Sequence, residues 1–178
     1  MKRLLITLLA LMLLMLSAAQ ADTLVVYFSC TGNTERVAAA AAEALAADLW
    51  QIVPEEPYSD TDLNYSNSSC RANTEQNDAE CRPAIAESMD VTAYDTILVG
   101  YPIWWGEEPR IIDTWLESVD LTGKKMATFC TSGSSGIQTA YAHLQEEAPA
   151  AEWLGARRFS ASVSPADMTD WCASIGLE

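Results

Sequence analysis

The sequence predicts an α/β fold, a three-layer α/β/α sandwich built on a five-stranded parallel sheet. Three observations predict it. The apolar, β-branched runs at residues 23–28 and 96–101 are continuous rather than alternating, which is the pattern of strands covered on both faces. Helical patterns separate the strand patterns along the chain, and strands alternating with helices give a parallel sheet with helices on both sides. Five such β-α units, in a chain of one-domain length, fit three layers.

Each element follows from its residues. Residues 23–28 form the first strand and end at a loop of Gly, Asn and Thr. Residues 35–47 are a helix dominated by Ala, small enough to lie close on a sheet. Residues 49–53 are the second strand, stopped by Pro54. Residues 54–83 are a long polar stretch rich in Pro, Ser, Asn and Asp; unstructured connections of that length are uncommon in compact domains and often functional. Pro83 suits the first position of a short helix over residues 84–89. Residues 96–101 are the third strand. Residues 109–119 are a helix, with Ile111, Ile112, Trp115, Leu116 and Val119 at helical spacing. Residues 125–130 are the fourth strand and residues 136–147 a helix, with Pro149 just beyond. Residues 153–163 give the last strand and residues 166–175 the last helix.

The N-terminus stands apart. Lys2 and Arg3, an apolar run over residues 4–16 and then Ser17-Ala18-Ala19-Gln20-Ala21 read as a secretory signal peptide cleaved after Ala21. Residues 1–21 are therefore expected to be a leader, and residues 22–178 the functional domain, exported to the bacterial periplasm without stable membrane insertion after cleavage. Cleavage takes two of the ten basic residues and leaves all 25 acidic ones. A chain of net charge −15 before cleavage excludes nucleic acid and anionic lipid as partners of its overall field, and suits a basic face on a partner protein. All five cysteines, Cys30, Cys70, Cys81, Cys130 and Cys172, follow the leader. An oxidising compartment permits pairing, and an odd number leaves at least one over.

Three strand-to-helix loops carry the chemistry, and in a parallel sheet all three lie on one edge. The first, Ser29-Cys30-Thr31-Gly32-Asn33-Thr34, is suited to a phosphate: Gly32 permits close backbone approach, the loop opens a helix whose free N–H groups attract an anion, and the hydroxyls add donors. It lacks Gly-Lys-Ser/Thr, and no Gly-x-Gly-x-x-Gly occurs, which excludes triphosphate P-loops and dinucleotide fingerprints. It contains no cation, so a single phosphate held by neutral donors fits best. The second loop, Pro102-Ile103-Trp104-Trp105-Gly106, offers flat apolar surface for a planar ring. The third, running from Thr131-Ser132-Gly133 to Gly136, offers backbone groups and hydroxyls for the polar rim of such a ring. Its spacing is not Gly-x-Ser-x-Gly, so no serine nucleophile is expected there. The single His, His143, is expected on a solvated helix face. No catalytic acid or base and no metal-ligating set stands out.

With these loops in hand the chain resembles the flavodoxin family, and more narrowly bacterial flavodoxin-like proteins of the flavodoxin_4 type. The Ser29-x-Thr31-Gly32-Asn33-Thr34 loop matches that family's FMN-phosphate pattern. Gly100-Tyr101-Pro102-Ile103-Trp104-Trp105-Gly106 through Pro109 resembles its flavin-flanking loop. Arg71-Ala72-Asn73-x-Glu75-x-Asn77-Asp78, then Arg82-Pro83, resembles its insert, and Thr131-Ser132-Gly133 through Gly136 its third loop. The resemblance spans residues 23–175. It implies strand order 2-1-3-4-5 and noncovalent FMN where strands one and three diverge, held by the three loops.

That order places Cys30 and Cys130 two strand spacings apart, about 9.6 Å, beyond the roughly 7 Å between Cα atoms that a disulfide tolerates. Related sequences resemble this one around Cys70 and Cys81 but carry Ser or another small residue there. These two, in one polar segment where they can approach freely, are expected to pair after export, or to remain free thiols in a leaderless form. Closing a loop of about 12 residues would contribute about 3 kcal/mol. Cys30 is expected to contribute backbone to the phosphate loop rather than a catalytic thiol, and Cys172 to pack in a helix.

The resemblance implies an FMN redox protein acting outside the cytoplasm, an electron carrier or a small oxidoreductase reducing a quinone or similar acceptor. The alternative is an exported module that keeps the fold without redox activity. The leader has Lys2-Arg3 rather than a twin-Arg pair, which favours export of an unfolded chain and leaves open whether FMN is loaded after export. A thiol–disulfide enzyme is the weakest reading, because no Cys-x-x-Cys is present.

Overall fold

The computed structural model describes residues 23–177. The expected leader lies outside them. The elements are β1 (Thr23–Tyr27), α1 (Asn33–Leu45), β2 (Asp48–Gln51), α2 (Arg71–Gln76), β3 (Thr96–Pro102), α3 (Arg110–Ser118), β4 (Lys125–Thr131), α4 (Gln138–Glu147), β5 (Glu152–Phe159) and α5 (Pro165–Ser174). The five strands form one parallel sheet in the order β2-β1-β3-β4-β5, a flavodoxin-like fold. Strand order reverses between β1 and β3, so the loops leaving these two strands diverge and open a crevice at the sheet's C-terminal edge.

Alternate strand residues feed two cores. Leu24, Val26, Ile97, Val99, Tyr101 and Met126 point to one face, where Ile111, Ile112, Trp115 and Leu116 of α3 and Ala140 and Leu144 of α4 cover them. Val25, Tyr27, Leu98, Ala127 and Phe129 point to the other, under Val37, Ala38 and Ala41 of α1 and Met168, Trp171 and Cys172 of α5. This two-sided burial is why the strands read as unbroken apolar runs. The alanines of α1 let it sit low on the sheet, as expected from their size. Gly100 pairs with Phe129 across β3 and β4, and a Cβ at Gly100 would stand 2.2 Å from the Phe129 ring. The core there has room for glycine alone.

Three elements differ from expectation. Residues 84–89 are not helical. Pro54 and Ile85 form an antiparallel bridge instead, with Ala86 N–H donating to Val53 O at 2.8 Å and Glu55 N–H to Ala84 O at 2.9 Å. The backbone groups that a helix would have used internally clip this segment to the extension of β2, while Ile85 and Met89 pack on the core. The last strand ends at Phe159 rather than residue 163, and a turn follows. The polar stretch contains a helix, α2, stabilised by partners distant in sequence. Arg71 pairs with Glu75 at 2.6 Å and donates to Glu56 O at 2.7 Å, and Ala72 N–H donates to Asp62 O at 3.0 Å.

Helix α2 also changes the cysteine reading. Cys70 sits buried at its N-cap and Cys81 lies beyond its far end. A six-residue helix lies between them, so the segment joining the two thiols is not the unstructured connection expected. Both are free in the structure, as are Cys30, Cys130 and Cys172. Among the described residues no helix is long and apolar enough to cross a membrane.

Candidate functional site

The loops after β1, β3 and β4 converge on one cavity of about 560 Å³ at the C-terminal edge of the sheet, within the size range of small-molecule sites. Ser29, Cys30, Thr31, Asn33 and Thr34 line it from the first loop, Pro102, Ile103, Trp104 and Trp105 from the second, and Thr131, Ser132 and Gly133 from the third. Gly32, Gly106 and Gly136, expected in the same loops, are not among the lining residues.

Backbone geometry explains the first loop. Gly32 is the N-cap of α1 with φ +76°, a conformation that favours glycine. Its N–H donates to Ser29 Oγ at 3.1 Å, closing the loop. No side chain caps α1, so the amides of its first turn are left for an anion, where the helix dipole also favours negative charge. Thr34 is buried, and its hydroxyl shares a 2.9 Å hydrogen bond with that of Thr131. This pair rivets the first loop to the third, so Thr34 acts chiefly in positioning, while exposed Thr31, whose Oγ1 accepts from Asn33 Nδ2 at 3.3 Å, keeps its O–H to donate. The loop itself holds no cation, as read. One turn into the helix, however, Arg36 folds back, with Nη2 donating to Asn33 Oδ1 and Nε to Ala161 O at 3.5 Å. A guanidinium thus lies beside the loop; its place four residues after Gly32 was the available signal.

The second loop is a tight hairpin. Trp104 N–H donates to Glu107 O at 2.9 Å and Glu107 N–H to Trp104 O at 3.1 Å. The two residues between, Trp105 at φ +50° and Gly106 at φ +97°, both lie in the left-handed region, as a type I′ turn requires. Gly106 adopts it freely. Trp105 does so against the preference of a bulky side chain, at a cost of about 1–3 kcal/mol, and its ring stays 47% exposed at the cavity. Trp104 is held from behind by edge-on rings, Tyr58 at 5.3 Å and Phe28 at 5.6 Å between centroids. Arg71 lies 4.1 Å over Tyr58, and the Tyr58 hydroxyl donates to Glu75 at 2.6 Å. The polar insert therefore buttresses the aromatic wall.

Sequence reasoning missed four lining residues: Leu63, Tyr65 and Ala72 from the insert and Ala161 from the turn after β5. Tyr65, 79% exposed within a polar segment, was the legible one. The lining holds no Asp, Glu, His, Lys or Arg. Cys30 is surface-exposed, yet desolvation by neighbouring atoms pushes its thiol up to about 12, more than Arg71 lowers it, with Glu75 adding to the rise. The helix N-terminus does not make it a thiolate. Burial likewise pushes Cys130 up to about 12 and Cys172 up to about 11. These three are protonated at neutral pH and poor nucleophiles.

His143 is not on a solvated face. Its Nδ1 contacts Glu108 Oε1 and lies 4.0 Å from Asp113 Oδ1, and its Nε2 lies 3.5 Å from Glu147 Oε1. Glu108 and Asp113 are fully buried. Burial opposes charging the imidazole, but the hydrogen bond it donates to Glu108 and the charges of Glu108, Asp113 and Glu147 together raise its pKa. Burial, then the charge of Glu108, pushes Asp113 up to about 7 against the pull of His143, Arg110 and Arg82.

The chain matches the family designated Flavodoxin_4, described as flavodoxin, over residues 22–175. A candidate flavoprotein from Bacteroides eggerthii is 36% identical, covering 88% of this chain and 98% of its own with a TM-score of 0.84. One from Bacteroides uniformis is 39% identical, covering 85% and 97% with a TM-score of 0.82. A flavoprotein from Lactobacillus acidophilus, solved in complex with FMN, is 27% identical over 76% of this chain and 91% of its own, with a TM-score of 0.62. The curated proteins contain no match. Family match, sheet order and the three-loop cavity agree, and the chain belongs to the Flavodoxin_4 family.

Proposed function

We propose that the cavity binds FMN noncovalently and that the protein is an exported electron carrier. One observation supports this above all: an uncapped helix N-terminus and an aromatic wall face the same cavity from adjacent strand ends. The first suits a phosphate, the second a flat ring, and the Lactobacillus acidophilus relative was solved with FMN. When bound, FMN would supply electron transfer. The chain's own part is to hold the phosphate on the α1 amides and the Thr31 hydroxyl, to cover the ring with Trp104 and Trp105, and to exclude water from it.

A carrier is favoured over an oxidoreductase because no residue lining the cavity is placed as a general acid or base, and the Cys30 thiol stays protonated. The acidic chain suits docking to a basic face of a redox partner. Action outside the cytoplasm rests on the leader pattern of residues 1–21. The test is the visible spectrum of the purified protein and its titration with FMN. Stoichiometric binding that Thr31→Val weakens by about tenfold, the worth of one hydrogen bond, supports the reading; absence of binding refutes it. Fractionation of the native host with N-terminal sequencing tests export: a mature end at Asp22 is expected, and an intact Met1 end overturns it.

A further inference from the structure

We propose that Glu108, Asp113 and His143 form a binding site for a divalent metal ion of the zinc type. Their ligand atoms all lie within 4.8 Å of one another, close enough to converge on one ion with small side-chain shifts. Glu108 directly precedes Pro109, the N-cap of α3; Asp113 lies in the first turn of α3 and His143 is on α4, so all three are carried by two packed helices and the residue leading into one.

An ion-pair cluster alone leaves this arrangement unexplained. Glu108 Oε2 and Asp113 Oδ1 are buried with no hydrogen-bond partner, on side chains with no exposure. Unpartnered carboxylate oxygens in a protein interior are costly. Charge does not balance either. Five carboxylates, Glu107, Glu108, Asp113, Glu117 and Glu147, outnumber the two guanidiniums, Arg82 and Arg110, and the one imidazole, His143, among them. Arg110 and Arg82 approach Asp113 only through Oδ2, at 3.5 and 4.0 Å, which leaves Oδ1 toward the imidazole.

The donor set names the ion class. One imidazole nitrogen and two carboxylate oxygens suit zinc, with a fourth position for water. Nδ1 is the nitrogen that faces Glu108 and Asp113, and Nε2 faces Glu147 at 3.5 Å. Metal on Nδ1 would leave Nε2–H to donate to Glu147, the carboxylate–histidine–metal relay that orients many zinc ligands. His143 is 29% exposed, which leaves a path for the ion.

The test uses purified protein stripped with a chelator, titrated with Zn²⁺ by calorimetry and melted with and without one equivalent. One tight equivalent and a raised Tm are expected. His143→Gln, at a partly exposed position, and Glu108→Gln should each lower affinity by more than about 100-fold, and Glu147→Gln by about 10–100-fold. The exposed control Glu87→Gln should leave it unchanged. Circular dichroism checks that each variant is folded, and if Glu108→Gln is not, His143→Gln and the wild-type stoichiometry decide. X-ray absorption on the loaded protein should show imidazole scattering that His143→Gln removes. Failure of the wild type to bind one equivalent overturns the site. So does binding that survives His143→Gln, because the ion would then sit on other acids of the surface.

Discussion

The two regions that meet in sequence at the 104–107 hairpin are opposite in character. On one side lies a cavity of hydroxyls, amides and aromatic rings with no formally charged side chain in its lining. On the other lie Glu108, Arg110, Asp113 and His143, charged groups largely removed from water. A chain this acidic has kept its carboxylates off the cavity wall, where they would repel a phosphate, and gathered several around α3 and α4. Neutral donors define a site by shape, whereas buried charges hold only as a balanced set.

The largest expected effect breaks the charged side. Arg110→Met leaves Glu107 without its guanidinium and Asp113 with only Arg82, 4.0 Å away, and should cost about 3–5 kcal/mol, read by urea unfolding at pH 7. The loss should shrink at pH 5, where Asp113 takes up a proton. Next, Trp104→Ala removes the aromatic wall and its packing on Phe28 and Tyr58. It should cost about 3 kcal/mol and reduce FMN binding far more than Thr31→Val does.

A pH series sharpens the contrast. Folded Asp113 has its pKa raised to about 7, above the roughly 3.9 of an unfolded aspartate. Its contribution is complete below about pH 4 and lost as pH rises through about 7. His143, also raised, acts in the same direction at higher pH. With chelator present, Tm should therefore fall from about pH 6 to pH 8, and Asp113→Asn should flatten the slope. A Tm that climbs over this window would contradict the burial argument. The smallest effect has the opposite sign. Trp105→Gly relieves the left-handed strain and should stabilise the protein by about 1 kcal/mol while weakening FMN binding.

The neutral side was legible in the sequence and the charged side was not. Strands β1, β3 and β4 announced themselves as unbroken apolar runs, and each of the three loops is a short contiguous segment, so twelve named lining residues followed from local pattern. Gly32, Gly106 and Gly136 were assigned by proximity; Gly32 and Gly106 set backbone shape through positive φ. Helix α2 escaped because its support comes from Tyr58, Glu56 and Asp62, positions that no periodicity links to it. Ile85 left the helix expected there for a bridge to Pro54 whose partner is 31 residues away. His143 read as a surface residue because the carboxylate that holds it is 35 positions distant, and only the packing of α4 on α3 brings them together.

The two-residue turn at Trp105 and Gly106 sets a constraint on length rather than identity. A primed turn fixes how the chain leaves as well as how it enters, so Glu107 and Glu108 emerge in a set phase after Trp104. One inserted or deleted residue would advance that phase, turn Glu108 away from His143 and swing Arg110 off Asp113, even with each side chain retained. Among family members this loop is therefore expected to vary in composition before it varies in length, and a relative with a longer loop should have lost the acid–histidine cluster along with it.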